Sequence, residues 1–137
     1  RKILYECTRI SLISRMEIGI KNITKTLVTE DLTAKHLSTG GSAAVLATPF
    51  MISLMEQTAL KAVVPYLSEN ESTVGTHVDV YHRKAAPVGQ TVTTTAELIA
   101  IDRRKLTFKV TTMMGDVLIG EGTHDRFIID KSTFGKK

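Results

Sequence analysis

The run Thr48-Pro49-Phe50-Met51-Ile52-Ser53-Leu54-Met55-Glu56-Gln57-Thr58-Ala59-Leu60-Lys61-Ala62-Val63-Val64-Pro65 carries the marks of one long helix. Thr48 suits the N-cap, and Pro49 suits the first helical position, where its missing N–H costs nothing. The helix is expected to reach about Val64, where Pro65 stops it. At about 100° per residue, Ser53, Gln57 and Lys61 fall on one narrow polar stripe. Met51, Ile52, Met55, Ala59, Leu60, Ala62 and Val63 fill most of the remaining circumference. A helix this apolar must be covered on most sides, as if a sheet wrapped around it.

The flanking sequence supplies such a sheet. Downstream, after a loop at Ser68–Ser72, Thr73–His82 alternates with Val74, Thr76, Val78 and Val80 on one face. Pro87-Val88-Gly89 makes a connection, and Thr91–Ile101 is rich in Thr, Val and Ile. Asp102-Arg103-Arg104 reads as a polar turn into Lys105–Met114, and Gly115-Asp116 turns the chain into Val117–Ile129. Upstream, Met16–Val28 reads as a first strand broken near Asn22. A short helix follows, capped at Thr29 and ending near Leu37, and then a flexible Ser38–Ser42 loop. The expected class is α+β, with an antiparallel sheet of about five strands packed by one face on the long helix.

Bulk properties narrow the function. A chain of 137 residues suits one domain with a real core. Residues 16–130 are read as that domain, 1–15 as an irregular N-terminal extension and 131–137 as a basic tail. No apolar run reaches the roughly 18 residues a membrane span needs. Glu6, Arg9 and Arg15 interrupt what would be the apolar core of a signal, so no secretory signal is read. Cys7 is the only cysteine, which excludes an intrachain disulfide and makes the reducing cytoplasm the expected compartment. The net charge of +4 suggests nucleic acid until it is located. Residues 1–25 carry six basic residues against Glu6 and Glu17, and the tail adds three lysines. Nine basic against twelve acidic residues leave 26–130 at −3, so nucleic-acid binding is not expected.

One residue breaks the helical pattern. Glu56 falls between Val63 and Leu60 and close to Ile52, inside the apolar arc. An ionised carboxylate there costs several kcal/mol unless paired or protonated. A structural hydrogen bond at a cavity edge and a catalytic role both account for it. His82 shares the parity of Val74, Val78 and Val80, at a strand end where side chains line openings. Alone it reads as a satisfied core histidine; beside a buried glutamate it forms an acid–base unit.

Three segments carry a family likeness: Ala47-Thr48-Pro49 through Glu56, Val74-Gly75-Thr76-His77-Val78 through His82, and Gly120-Glu121-Gly122-Thr123-His124-Asp125-Arg126. Over roughly residues 18–130 the chain resembles the fluoroacetyl-CoA thioesterase family of hotdog-fold proteins. The resemblance implies a hotdog fold, hydrolysis of a small acyl-CoA without a cofactor, and a homodimer. In such dimers the long helix of one subunit and strand residues of the other build each site. It implies Thr48, Glu56 and His82 as catalytic residues, with Glu56 attacking the thioester or activating water, and leaves the nucleophile open between Glu56 and Thr48. Gly75 corresponds to the glycine near the thioester carbonyl, its N–H a natural oxyanion donor, and Arg126 to an active-site arginine. The fluoroacetyl-specific enzyme closes its pocket with phenylalanines in the loop before the threonine. Here Leu37-Ser38-Thr39-Gly40-Gly41-Ser42-Ala43-Ala44 has no aromatic residue, so a different short-acyl preference is expected.

The remaining candidates read as less central. His36 and His77 are expected on the surface, and His124 as a supporting residue beside Arg126. No His, Asp and Glu cluster has metal-ligand spacing, so no metal is expected. Asp102-Arg103-Arg104-Lys105 reads as a solvated turn, with CoA phosphate contact by Arg103 or Arg104 as the lesser alternative. Gly120-Glu121-Gly122 lies inside a strand, so it marks a bulge or close backbone contact rather than a phosphate loop. Two other functions fit the same fold: a non-catalytic acyl-CoA-binding domain, and a hydratase or dehydratase acting on the acyl chain.

Overall fold

Strand-forming residues and turn signals alternate along most of the chain, and the long helix interrupts them once. The computed structural model describes residues 16–37 and 43–136. Cys7, the 1–15 extension and the Ser38–Ser42 loop lie outside the described residues. In chain order the elements are β1 (Lys21–Leu27), a 3-10 turn (Glu30–Leu32), α1 (Ala34–Leu37), α2 (Thr48–Val63) and a second 3-10 turn (Val64–Tyr66). Then come β2 (Glu71–His82), β3 (Thr91–Asp102), β4 (Lys105–Met114) and β5 (Val117–Asp130). The strands form one antiparallel sheet in the order β1-β3-β4-β5-β2, with α2 packed on one face. This is the hotdog architecture that the resemblance implied.

The core lies between α2 and the sheet. Leu106, Phe108, Val110 and Thr112 of β4 alternate inward and are fully buried. Val92, Ala96 and Leu98 of β3 meet them from one side, and Met51, Met55, Ala59 and Val63 of α2 cap them. The polar stripe of α2 faces out, with Gln57 donating to the Ser53 hydroxyl at 2.9 Å. Glycine admits the closest contact. A Cβ on Gly120 would stand 2.4 Å from the Met51 sulfur, so the absent side chain lets the helix sit down on β5.

Several sequence expectations shift. The first strand begins only at Lys21, because Gly19 turns the chain with φ +103°. The expected helix after Thr29 is two short pieces, separated where Thr33 goes extended and bridges Leu46. Ala47, not Thr48, is the N-cap of α2, and the Thr48 side chain makes no capping bond. Finally, β2 starts at Glu71 and does not alternate simply. Gly75 pairs with Arg126 and His77 with Asp125, leaving Thr76 as an extra, bulged residue. The bulge inverts parity, so Val74 pairs with exposed Phe127 on the outer face rather than joining Val78 and Val80.

Candidate active site

The bulge places two residues on the helix-facing side that strict alternation would separate. Gly75 and His82 are seven positions apart, an odd spacing, yet they pair with Arg126 and Gly120 of the same face of β5. His82 turns inward with Val78 and Val80, as its parity suggested, and it is the inward turn of Gly75 that simple alternation does not reveal. Thr48, released from capping, puts its hydroxyl 2.7 Å from His82 Nδ1. Burial holds the His82 imidazole below the usual histidine range, while a main-chain hydrogen bond at Lys84 works the other way. A neutral ring whose Nδ1 lacks a proton can accept from the threonine hydroxyl.

A second cluster forms two turns further along α2. Glu56 Oε2 lies 3.6 Å from Arg126 Nη1 and 3.9 Å from His124 Nε2. Gly75 lies directly beneath it, where a Cβ would stand only 2.5 Å from that oxygen. Glycine here makes room for the carboxylate itself. The Glu56 side chain is 40% exposed, against the expectation of a desolvated carboxylate. The helix flank carrying Ile52, Glu56 and Leu60 is only partly covered, because β2 is the last strand on that side. Thr48 and Glu56 are eight residues apart on one helix, about 12 Å along its axis. One chain thus holds a threonine–histidine pair and a glutamate–glycine–arginine cluster side by side, not merged.

Arg126 is 6% exposed and satisfied by partners that sequence reading did not single out. Its Nε donates to Thr73 Oγ1 at 2.7 Å and its Nη2 to the Thr73 carbonyl at 2.8 Å. Burial pulls the guanidinium below its usual range and Glu56 opposes this, but arginine stays protonated in proteins. His124, expected only in support, is 1% exposed and touches both Arg126 and the His77 carbonyl. The signal was present: His124 and Arg126 share the parity of Ile128, so two polar side chains occupy a core-facing strand surface. That is the same kind of anomaly as Glu56.

The other candidates stand apart from the site. His36 and His77 are exposed, as expected. Arg104 is held by Glu71 and the Ile128 carbonyl, and Arg103 pairs with Asp102 at the exposed turn. Among the described residues no His, Cys, Asp or Glu group is arranged to hold a metal ion. None of their helices is long and apolar enough to cross a membrane.

The family model for the fluoroacetyl-CoA-specific thioesterase matches residues 28–132, most of the chain and all of the clusters just described. The chain belongs to that family. The fluoroacetyl-CoA thioesterase of Streptantibioticus cattleyicolor is 43% identical over 93 residues, 68% of this chain and 67% of that one. A mutant of the fluoroacetyl-CoA-specific thioesterase solved with fluoroacetate and CoA superposes with a TM-score of 0.83 at 36% identity. That match covers 88% of this chain and 100% of the other. A thioesterase superfamily member from Thermus thermophilus gives 0.78 at 26% identity over 85% of both chains. Membership places this chain among acyl-CoA thioesterases with the hotdog fold.

Proposed function

We propose that the chain hydrolyses a short acyl-CoA to the free acid and CoA, as a homodimer whose sites are shared between subunits. The observation that carries this is the placement of Glu56 over Gly75 at a lip left open by the edge strand β2. Glu56 is the nucleophile toward the thioester carbon or the general base for water. The backbone N–H of Gly75 supports the developing oxyanion, and Arg126 holds the carboxylate and the acyl end in place. Thr48 and His82 handle the proton that the departing thiolate takes up. Outside the chain, a reducing cytoplasm suits a protein with one cysteine.

The dimer follows from the same lip. Among the described residues β2 is a 12-residue edge strand with no backbone partner along one side, which is a template for another strand. Two copies paired antiparallel through β2, with the twofold axis at Asp79 and Thr76 left out of register as it is against β5, set His82 opposite Gly75 of the partner subunit. Each Thr48–His82 pair then joins the glutamate cluster of the other chain. The half-open flank of α2 is covered in the same step, and Glu56 loses its exposure to water.

Release of free thiol from a panel of short acyl-CoAs tests the reading, with the native chain compared with Glu56→Gln. At least one substrate should turn over, and the variant should lose about 100-fold or more in kcat/KM. If several acyl-CoAs bind and none is cleaved, the chain is a binding domain and the hydrolytic reading is wrong.

A further inference from the structure

His124 is the most deeply buried titratable group of the site and has no part in the chemistry above. Its hydrogen bonds fix its protonation. The His77 carbonyl can only accept, so Nδ1, 2.8 Å away, carries a proton and donates. Arg126 Nη1 can only donate, so Nε2, 3.2 Å away, must be bare. The ring is therefore the neutral Nδ1–H tautomer, and its 3.9 Å approach to Glu56 is not an ion pair. Burial holds His124 below the usual histidine range and the Arg126 charge pushes the same way. The His77 hydrogen bond and the Glu56 and Asp125 carboxylates oppose them without reversing the direction.

Four of the five N–H donors of Arg126 then have partners within reach. Nε and one Nη2 proton are spent on Thr73, and one Nη1 proton on His124. Nη1 also lies 3.6 Å from Glu56 Oε2, within ion-pair reach. A guanidinium is planar, so anchoring Nε, Nη2 and Nη1 leaves it no rotation about its own axis. A protonated His124 would turn an N–H against that plane and unseat it.

We propose that His124, held as the neutral Nδ1–H tautomer between the His77 carbonyl and Arg126, is a positioning residue that aims the guanidinium and through it the Glu56 carboxylate. The inference rests on Glu56 being the catalytic carboxylate. His124 itself reaches no substrate, since it is enclosed beneath Arg126 and Gly75. Because Arg126 also holds the acyl end, the effect is expected mainly in kcat, with a much smaller change in KM.

A double-mutant cycle on the full chain, joined to nitrogen NMR of the native protein, tests it. His124→Leu should lower kcat about tenfold to a hundredfold, the cost common for groups that orient a reacting side chain, with KM within about threefold. His124→Gln, whose side-chain oxygen can accept from Nη1, should recover part of the loss. The double variant Glu56→Gln with His124→Leu should be no slower than Glu56→Gln alone, because both losses pass through one carboxylate. In the native chain labelled with nitrogen-15 histidine, the His124 resonances, assigned with His124→Gln, should show a protonated Nδ1 and a bare Nε2 at neutral pH. An imidazolium or an Nε2–H tautomer would overturn the proposal without reference to any variant's folding. So would an undiminished kcat in His124→Leu, or losses that multiply in the double variant. If Glu56→Gln alone is without effect, the reading of Glu56 fails instead, and the tautomer result stands by itself.

Discussion

At the scale of single residues, Gly75 is where packing and chemistry meet most tightly. A methyl group there would meet Glu56 Oε2 at 2.5 Å and His124 Cε1 at 3.0 Å. The nearer atom is the free end of a flexible side chain, so the fold can absorb the methyl by moving the carboxylate. Gly75→Ala is therefore expected to keep the thermal midpoint within a few degrees while lowering kcat about tenfold or more, the range for a misplaced reacting group. Thermal unfolding measured beside thiol release checks both halves. A variant that unfolds early, or one that retains full activity, would contradict this account of the glycine. Thr48 makes a similar point without a substitution. Its sequence suits a helix cap, but its hydroxyl is spent on His82 at 2.7 Å, and Ala47 takes the cap position. A residue that forgoes a local hydrogen bond for a distant one is a mark of functional use.

At the scale of elements, the turn between β3 and β4 carries the one described non-glycine residue with positive φ, Arg103 at 58°. Two-residue connections favour glycine at such positions, and an L side chain there costs about 1–2 kcal/mol. Arg103 offsets little of that, since its contact with Asp102 is solvent-exposed on both sides. Arg103→Gly should raise unfolding free energy by about 1 kcal/mol, read from urea denaturation as a higher midpoint with the same slope. A lower midpoint would show that the Asp102 contact outweighs backbone strain. The elements themselves were largely legible in the sequence. Pro49 and Pro65 bracket α2, and the alternation of Leu106, Phe108, Val110 and Thr112 marks β4. The Thr76 bulge was not legible, because an unpaired residue leaves no mark on composition and appears only in register with β5. Thr73 was missed for a related reason. Its link to Arg126 spans 53 positions and depends on strand pairing.

At the scale of the whole molecule, the separation of Thr48–His82 from Glu56–Gly75–Arg126 gives the proposed dimer a sharp test. Glu56→Gln and His82→Ala should each be nearly inactive alone. If sites are shared, a mixed dimer has one site with both His82 and Glu56 intact and one site with neither. Random mixing makes about half the dimers mixed, so activity should recover to about a quarter of native. If each site lies within one chain, no mixture regains activity. Co-expression with two affinity tags distinguishes the cases: the doubly tagged species, all mixed dimers, should show about half of native activity if sites are shared and almost none otherwise. Glu56 was legible as an anomaly from its place on the helical wheel, but its 40% exposure was not. Sequence periodicity reports which way a side chain points, and not whether anything covers it.

The bulge at Thr76 also makes β2 behave like a reading frame. Upstream of it Gly75 faces the helix, downstream His82 does, and the single unpaired residue keeps both in phase. Straightening the bulge without removing a residue would act as a frameshift of orientation, turning His82 away from Thr48 while every letter of the motif survived. Two chains that both spell the glycine and the histidine are thus equivalent only if the residues between them, less any bulged one, are in the same phase.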